Sequence, residues 1–212
     1  MTMPEPEERR AEVAERPALT RAQARQVAAI FVVVSLSVAI VLFDLAGGLR
    51  HGAGRPASIT LVLTGGWCLA SSFLTWVAFA PVGSTYRRDP TLLAATAAAT
   101  PGALVIWTSV FHDTYAEPFE GAVAQCLGLT LVIAAIPLFG FMLLRRGASP
   151  ASPGALGATA GAMCGAWATV IVDVWCPLTS SAHTLLGHAT PLALLAALGA
   201  VVGARVLARP SS

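Results

Sequence analysis

The chain has 212 residues, 56% of them hydrophobic and only 11% charged, with a mean hydropathy of +0.72. A soluble domain carries about 25% charged residues, so water is not the main solvent for most of this one. Its 13 basic residues, all Arg, against 11 acids leave a net charge of +2, too small a surplus to argue for direct nucleic acid binding.

Residues 1–26 form a polar tail with Glu5, Glu7, Glu8, Glu12 and Glu15 beside Arg9, Arg10, Arg16, Arg21 and Arg25. It shows no charged-then-apolar leader with a cleavage site, so no cleaved signal peptide is expected. A segment this polar does not fold alone. Thr20 and Gln23 have the spacing of a capping box, which predicts where the first helix begins.

Six apolar stretches follow, at 27–46, 59–82, 92–111, 121–144, 154–176 and 184–207. A bilayer core takes about 20 apolar residues per helix, so each is long enough to cross. Gly, Pro and charged residues punctuate the sequence between them, as in Gly52 to Pro56, Arg87 to Pro90, Glu117-Pro118 and Cys176-Pro177. The third and fifth stretches are rich in Ala and Gly and have the weakest hydropathy signal. The fold predicted is all-α: a six-helix transmembrane bundle over 27–209, with 1–26 and 210–212 outside it. Gly157, Gly161 and Gly165 repeat at four-residue spacing, as do Gly199 and Gly203, a pattern that lets two helix backbones approach closely in lipid. Pro101, Pro137 and Pro191 lie inside stretches and are expected to kink them.

Cytoplasmic segments keep positive charge, and Arg falls unevenly along the chain. The tail, Arg87-Arg88, Arg145-Arg146, Arg205 and Arg209 place 11 of the 13 basic residues on one side. The other side has Arg50 and Arg55, with Asp113, Glu117 and Glu120 in its third loop. Both termini are therefore expected in the cytoplasm of a bacterial inner membrane.

The outer half collects the groups able to do chemistry. His51, His112, His183 and His188 all map there, with Cys176 closing the fifth stretch, Asp173 one turn before it, and Asp44 near the end of the first. Cys126 lies about 8 Å inward from Gly121, at about 1.5 Å per residue. Imidazole and thiol are the usual ligands of zinc and other transition metals. Ionisable groups at membrane depth are functional candidates. No Cys-x-x-Cys, no His-Glu-x-x-His and no His pair at helical spacing is present, so free thiols that simply pack remain an equal reading. A disulfide between Cys126 and Cys176 is an open alternative in an oxidising periplasm; counted from the predicted span ends the two differ in depth by more than one turn, which does not favour a relaxed bridge. A phosphate loop, a Gly-x-Ser-x-Gly elbow and paired intramembrane carboxylates are all missing, and the cytoplasmic loops are too short for a domain. An enzyme is not expected.

The run Cys126-Leu127, Ile136-Pro137, Trp175-Cys176-Pro177, Leu186-Gly187 and Leu198-Gly199 through Gly203-Ala204-Arg205 resembles the NrsF-type anti-sigma factors over residues 120–209. That resemblance implies a six-helix inner-membrane protein that holds an ECF-type sigma factor and releases it under stress such as metals or oxidants. It also supports a partner surface in the tail, at Glu5, Glu8, Arg9, Arg10 and Glu12, and a stimulus site at Cys126 and Cys176, which match the family's Cys positions. From their place in the sequence, His112, Asp173, His183 and His188 are expected to complete that site. No cofactor is implied; a transition-metal ion would be a signal, with Cys126 and Cys176 its first ligands. Two positions depart from the family pattern. Trp175-Cys176-Pro177-Leu178 replaces His-Cys-Pro followed by an acid, and His183-Thr184 replaces an aromatic pair, so the stimulus can differ from that of other members. A small transporter or channel, using Asp44 and Asp173, is the alternative, weakened by the lack of inverted repeats. A thiol redox enzyme would ordinarily carry Cys-x-x-Cys.

The Arg distribution yields a direct test. A reporter active only in the periplasm should be silent when fused after Ser212 and active when fused near Pro118. The reverse pattern would overturn the orientation.

Overall fold

A computed structural model describes residues 20–45, 57–80, 89–110, 119–145, 150–174, 176, 178 and 180–208. The expectations for Glu5, Glu8, Arg9, Arg10, Glu12 and His112 fall outside these residues. Among the described residues there are six helices and no strand. They are α1 (Arg21–Leu45), α2 (Ala57–Ala78), α3 (Pro90–Val110), α4 (Phe119–Arg145), α5 (Pro153–Asp173) and α6 (Ser181–Val206).

The start signals act as the sequence predicts. Thr20 N–H donates to Gln23 Oε1 at 2.9 Å while Gln23 N–H donates to Thr20 Oγ1 at 3.2 Å, the reciprocal bonds of a capping box. Asp89 caps α3 by accepting from Thr91 and Leu92 N–H at 2.9 and 3.3 Å. Hydrogen bonds from the Thr91 side chain first, then from the Leu92 and Thr91 N–H groups, hold the Asp89 carboxyl below its ordinary pKa. Two stops come earlier than expected. α2 ends at Ala78 rather than residue 82, because Pro81 disfavours helical backbone at Ala80. α5 ends at Asp173 rather than residue 176, with Pro177 acting on Cys176 in the same way.

Among the described residues five helices are long and apolar enough to cross a bilayer, consistent with a multi-pass membrane protein. Within the described residues the helix that falls short is α1, with an apolar stretch of Ala22–Val38, and not the Ala- and Gly-rich α3 or α5. Large apolar side chains such as Ile30, Leu61, Leu69, Ile106, Val132 and Ile136 face outward. Lipid removes the penalty that water would impose on them. α3 and α4 run through Pro101 and Pro137 as continuous helices.

α5 is the axis of the bundle: 89% of its span is buried, and α2, α3, α4 and α6 all pack on it. The Gly stripe is what admits it. A Cβ built on Gly157 would collide with the Gly199 carbonyl oxygen, one on Gly161 with that of Leu195, and one on Gly203 would lie 2.7 Å from the Pro153 oxygen. The α5 and α6 backbones are thus in direct contact, as the four-residue spacing predicts. Trp167 Nε1–H donates to Thr75 Oγ1 at 3.0 Å, and the Thr159 hydroxyl is shared between the Leu93 oxygen at 3.3 Å and the Ala155 oxygen of its own helix at 3.0 Å, so these two buried polar groups of α5 are satisfied.

Contacts sort the helix ends into two sets. Ala78, Leu93, Arg145 and Leu156 share one end; Thr64, Ser109, Cys126, Asp173 and Ser181 share the other. Arg145, expected in a loop, is instead the last residue of α4 and is 3% exposed. Its guanidinium lies 5.6 and 5.8 Å from the Phe79 and Phe141 ring centres, and Nη2 donates to the Ala78 oxygen at 3.5 Å. Aromatic faces and a carbonyl take the place of water there.

Gly161→Leu should abolish recovery of folded protein, because the side chain would have to displace the α6 backbone. Gly102→Ala and Gly140→Ala, which meet nothing within 4 Å, should be tolerated or gain roughly 0.5–1 kcal/mol. Thermal unfolding in detergent distinguishes them, and equal stability for all three variants would contradict the packing described.

Candidate functional site

At the end where α4 and α6 begin, four donors converge: Cys126, Cys176, His183 and His188 each place a ligand atom within 4.8 Å of the others, and all four residues are buried. They come from three parts of the chain. Cys126 lies about two turns into α4. Cys176 follows the end of α5, tied back by its N–H to the Val172 oxygen at 3.0 Å. His183 and His188 belong to the first turns of α6.

Those turns are not regular α-helix. Ser180 caps His183 N–H, and residues Thr184–Ala189 form a π turn. The cause is Pro191. Lacking an N–H, it gives nothing to the Gly187 carbonyl four residues back. Thr190 bonds instead to Leu185 five residues back, through its backbone N–H and through Oγ1 at 2.8 Å. Two residues five apart on an α-helix are separated by about 140° around the axis. The i to i+5 pattern of a π turn stacks them. The His183 and His188 rings accordingly meet edge to face at 5.2 Å. The kink expected at Pro191 is in fact this widening.

Cys176 Sγ lies 3.1 Å from His183 Nε2, and its thiol points at the Leu178 oxygen, 3.9 Å away. His188 is 2% exposed, and neither of its ring nitrogens makes a hydrogen bond of good geometry, although the Cys176 thiol lies close enough to interact with the ring. The Trp67 ring of α2 lies beside it, centroids 6.4 Å apart. Gly187 leaves the space between the donors open: a Cβ there would come within 3.3 Å of Cys126 Cβ and 3.4 Å of His183 Nε2.

Of the residues predicted from sequence, four are brought together. Asp173 is buried at the same end but lies outside the four-donor group and accepts from Thr64 Oγ1 at 3.0 Å. Asp44 is exposed near the end of α1, and His112 falls outside the described residues. Cys68 is half-buried and Cys164 lies fully buried in the middle of α5, both apart from the cluster. The depth argument that separated Cys126 from Cys176 is corrected. α4 begins two residues earlier than predicted and regular α5 three residues short of Cys176, so counting from the expected ends misplaces both thiols.

Trp67 and Thr64 carry no sequence signal for a site, and Gly187 stands out only as part of the Leu186-Gly187 motif. The proximity of His183 and His188 could have been found by asking what Pro191 does to the turn before it.

Four soft or borderline donors in a closed, apolar setting can bind a transition-metal ion or be oxidised at sulfur. A family model described as NrsF, negative regulator of sigma F, matches residues 9–208. No curated protein and no solved structure matches the chain.

Proposed function

The chain belongs to the NrsF family, the negative regulators of sigma F, and from that premise we propose that it is a non-enzymatic anti-sigma factor of the bacterial inner membrane. It holds an ECF-type sigma factor at the cytoplasmic face through its tail and releases it when a metal or an oxidant acts on the four-donor cluster. The observation that carries this reading is the convergence of Cys126, Cys176, His183 and His188 in one buried group. With both termini cytoplasmic, that group lies in the outer half of the bundle.

The tail supports the partner assignment on chemical grounds. Glu5, Glu8, Arg9, Arg10 and Glu12 offer charges of both signs to a facing surface, and a tail too polar to fold alone can order on binding. The matched span begins at residue 9 and so includes Arg9, Arg10 and Glu12. Release requires a stimulus that binds two states of the bundle differently. α5 is the element to carry it: Cys176 follows its outer end, and its other end packs against the group that includes Arg145 and Leu93.

Transcription from the sigma factor's promoter tests this directly. Deleting residues 1–25 should raise it while leaving the protein in the membrane. Cys126→Ser or Cys176→Ser should still repress but no longer respond to the inducer, whereas Cys68→Ser and Cys164→Ser should respond as the parent does. Unchanged transcription on tail deletion would remove the tail as the binding surface; a full response in both outer cysteine variants would remove the cluster as the sensor.

A further inference from the structure

We infer that Cys126, Cys176, His183 and His188 are the complete ligand set of a tetrahedral site for a zinc-group divalent cation, an assignment that rests on reading this cluster as the stimulus site and names what it takes.

Distances come first. Zinc binds thiolate at about 2.3 Å and imidazole at about 2.0–2.1 Å, so ligand atoms in a tetrahedron stand about 3.3–3.8 Å apart. The four donors already lie within 4.8 Å of one another, and the pair Cys176 Sγ and His183 Nε2 is at 3.1 Å. Closing the widest of these separations takes shifts of about an ångström.

Second is the cost of leaving the site as it is. A buried polar atom without a partner loses its hydration with nothing in return. His188 holds two such nitrogens at 2% exposure. A cation bound to one of them answers that cost at that nitrogen. Its ring stands where it does because the π turn places it beside His183, and Gly187 keeps the space between the donors open.

Third is the donor chemistry. Two sulfurs and two imidazole nitrogens suit zinc and its heavier analogues, whereas magnesium and calcium demand oxygen. Binding a divalent ion as two thiolates and two neutral imidazoles displaces two S–H protons to water. The site is then electrically neutral, which an apolar surrounding tolerates. Four protein ligands leave no open coordination position, so the ion has a structural or signalling role and does not activate water. It would tie α4, the segment after α5 and the head of α6 to one point.

The test uses the full chain purified in detergent, with Zn2+ as the probe and no sigma factor present. After dialysis the parent and Cys68→Ser should each retain one zinc per chain, and X-ray absorption should give a shell of two sulfurs and two nitrogens. Cobalt(II) should give tetrahedral ligand-field bands with thiolate charge transfer that zinc abolishes. Cys126→Ser and Cys176→Ser should each halve the sulfur count. His188→Ala should weaken zinc at least about tenfold, the loss that even outer-shell changes cause. Substoichiometric zinc in the parent, a shell without sulfur, or affinity unchanged by His188→Ala would overturn the assignment. Those readouts are independent of repression. If the cysteine variants are uninducible in cells while the parent binds no zinc, the regulatory reading stands and the metal site falls.

Discussion

Backbone contact between α5 and α6 is the constraint on which the rest of the bundle depends. Lipid gives apolar helices no reason to associate, so association has to come from close approach. Gly157, Gly161, Gly199 and Gly203 supply it, each occupying space in which a Cβ would strike the facing backbone. With α6 drawn in on one side, α5 is covered by α2, α3 and α4 on the others. Ala160, Ala162, Ala166 and Ala168, all buried, keep it slender enough to be surrounded. A central helix of this kind touches both ends of the bundle, which is what a protein needs if it is to connect the two faces of a membrane.

At one end of that axis, a proline makes the site possible. Pro191 has no N–H to give the Gly187 carbonyl, the turn before it widens, and two histidines that an α-helix would point apart come together. π turns inside α-helices recur at functional sites, and this one places two of the four donors. Cys176 is delivered by the chain leaving α5, and Cys126 faces the gap that Gly187 leaves open. Arg145 closes the other end of α4 between Phe79 and Phe141, so the helix bearing Cys126 is anchored at the end away from the site.

Most of the architecture was legible because membrane helices are written in simple terms. Long apolar runs, the Thr20–Gln23 box and the Gly spacing each predict one local outcome, and each occurs. The suspected family was legible from the C-terminal motifs alone, although the matched span reaches back to residue 9. Details of the site were less so. Asp173 reads from sequence as part of the cluster, yet Thr64, a residue 109 positions away, takes it up. The spacing of His183 and His188 argues against a shared site if helices are assumed regular. Arg145 reads as a loop charge because hydropathy gives no credit for two aromatic faces that arrive from the residue just past α2 and from its own helix.

If the cluster governs the sigma factor, the two ligands must be linked, and linkage is reciprocal: whatever the ion does to sigma-factor affinity, the sigma factor does to ion affinity by the same factor. The decisive measurement is the affinity of the full chain in lipid nanodiscs for its sigma factor with and without Zn2+, paired with its zinc affinity with and without the sigma factor. The account predicts that zinc weakens sigma-factor binding, and that the sigma factor weakens zinc binding by an equal factor. Identical sigma-factor affinity at zero and saturating zinc would contradict it.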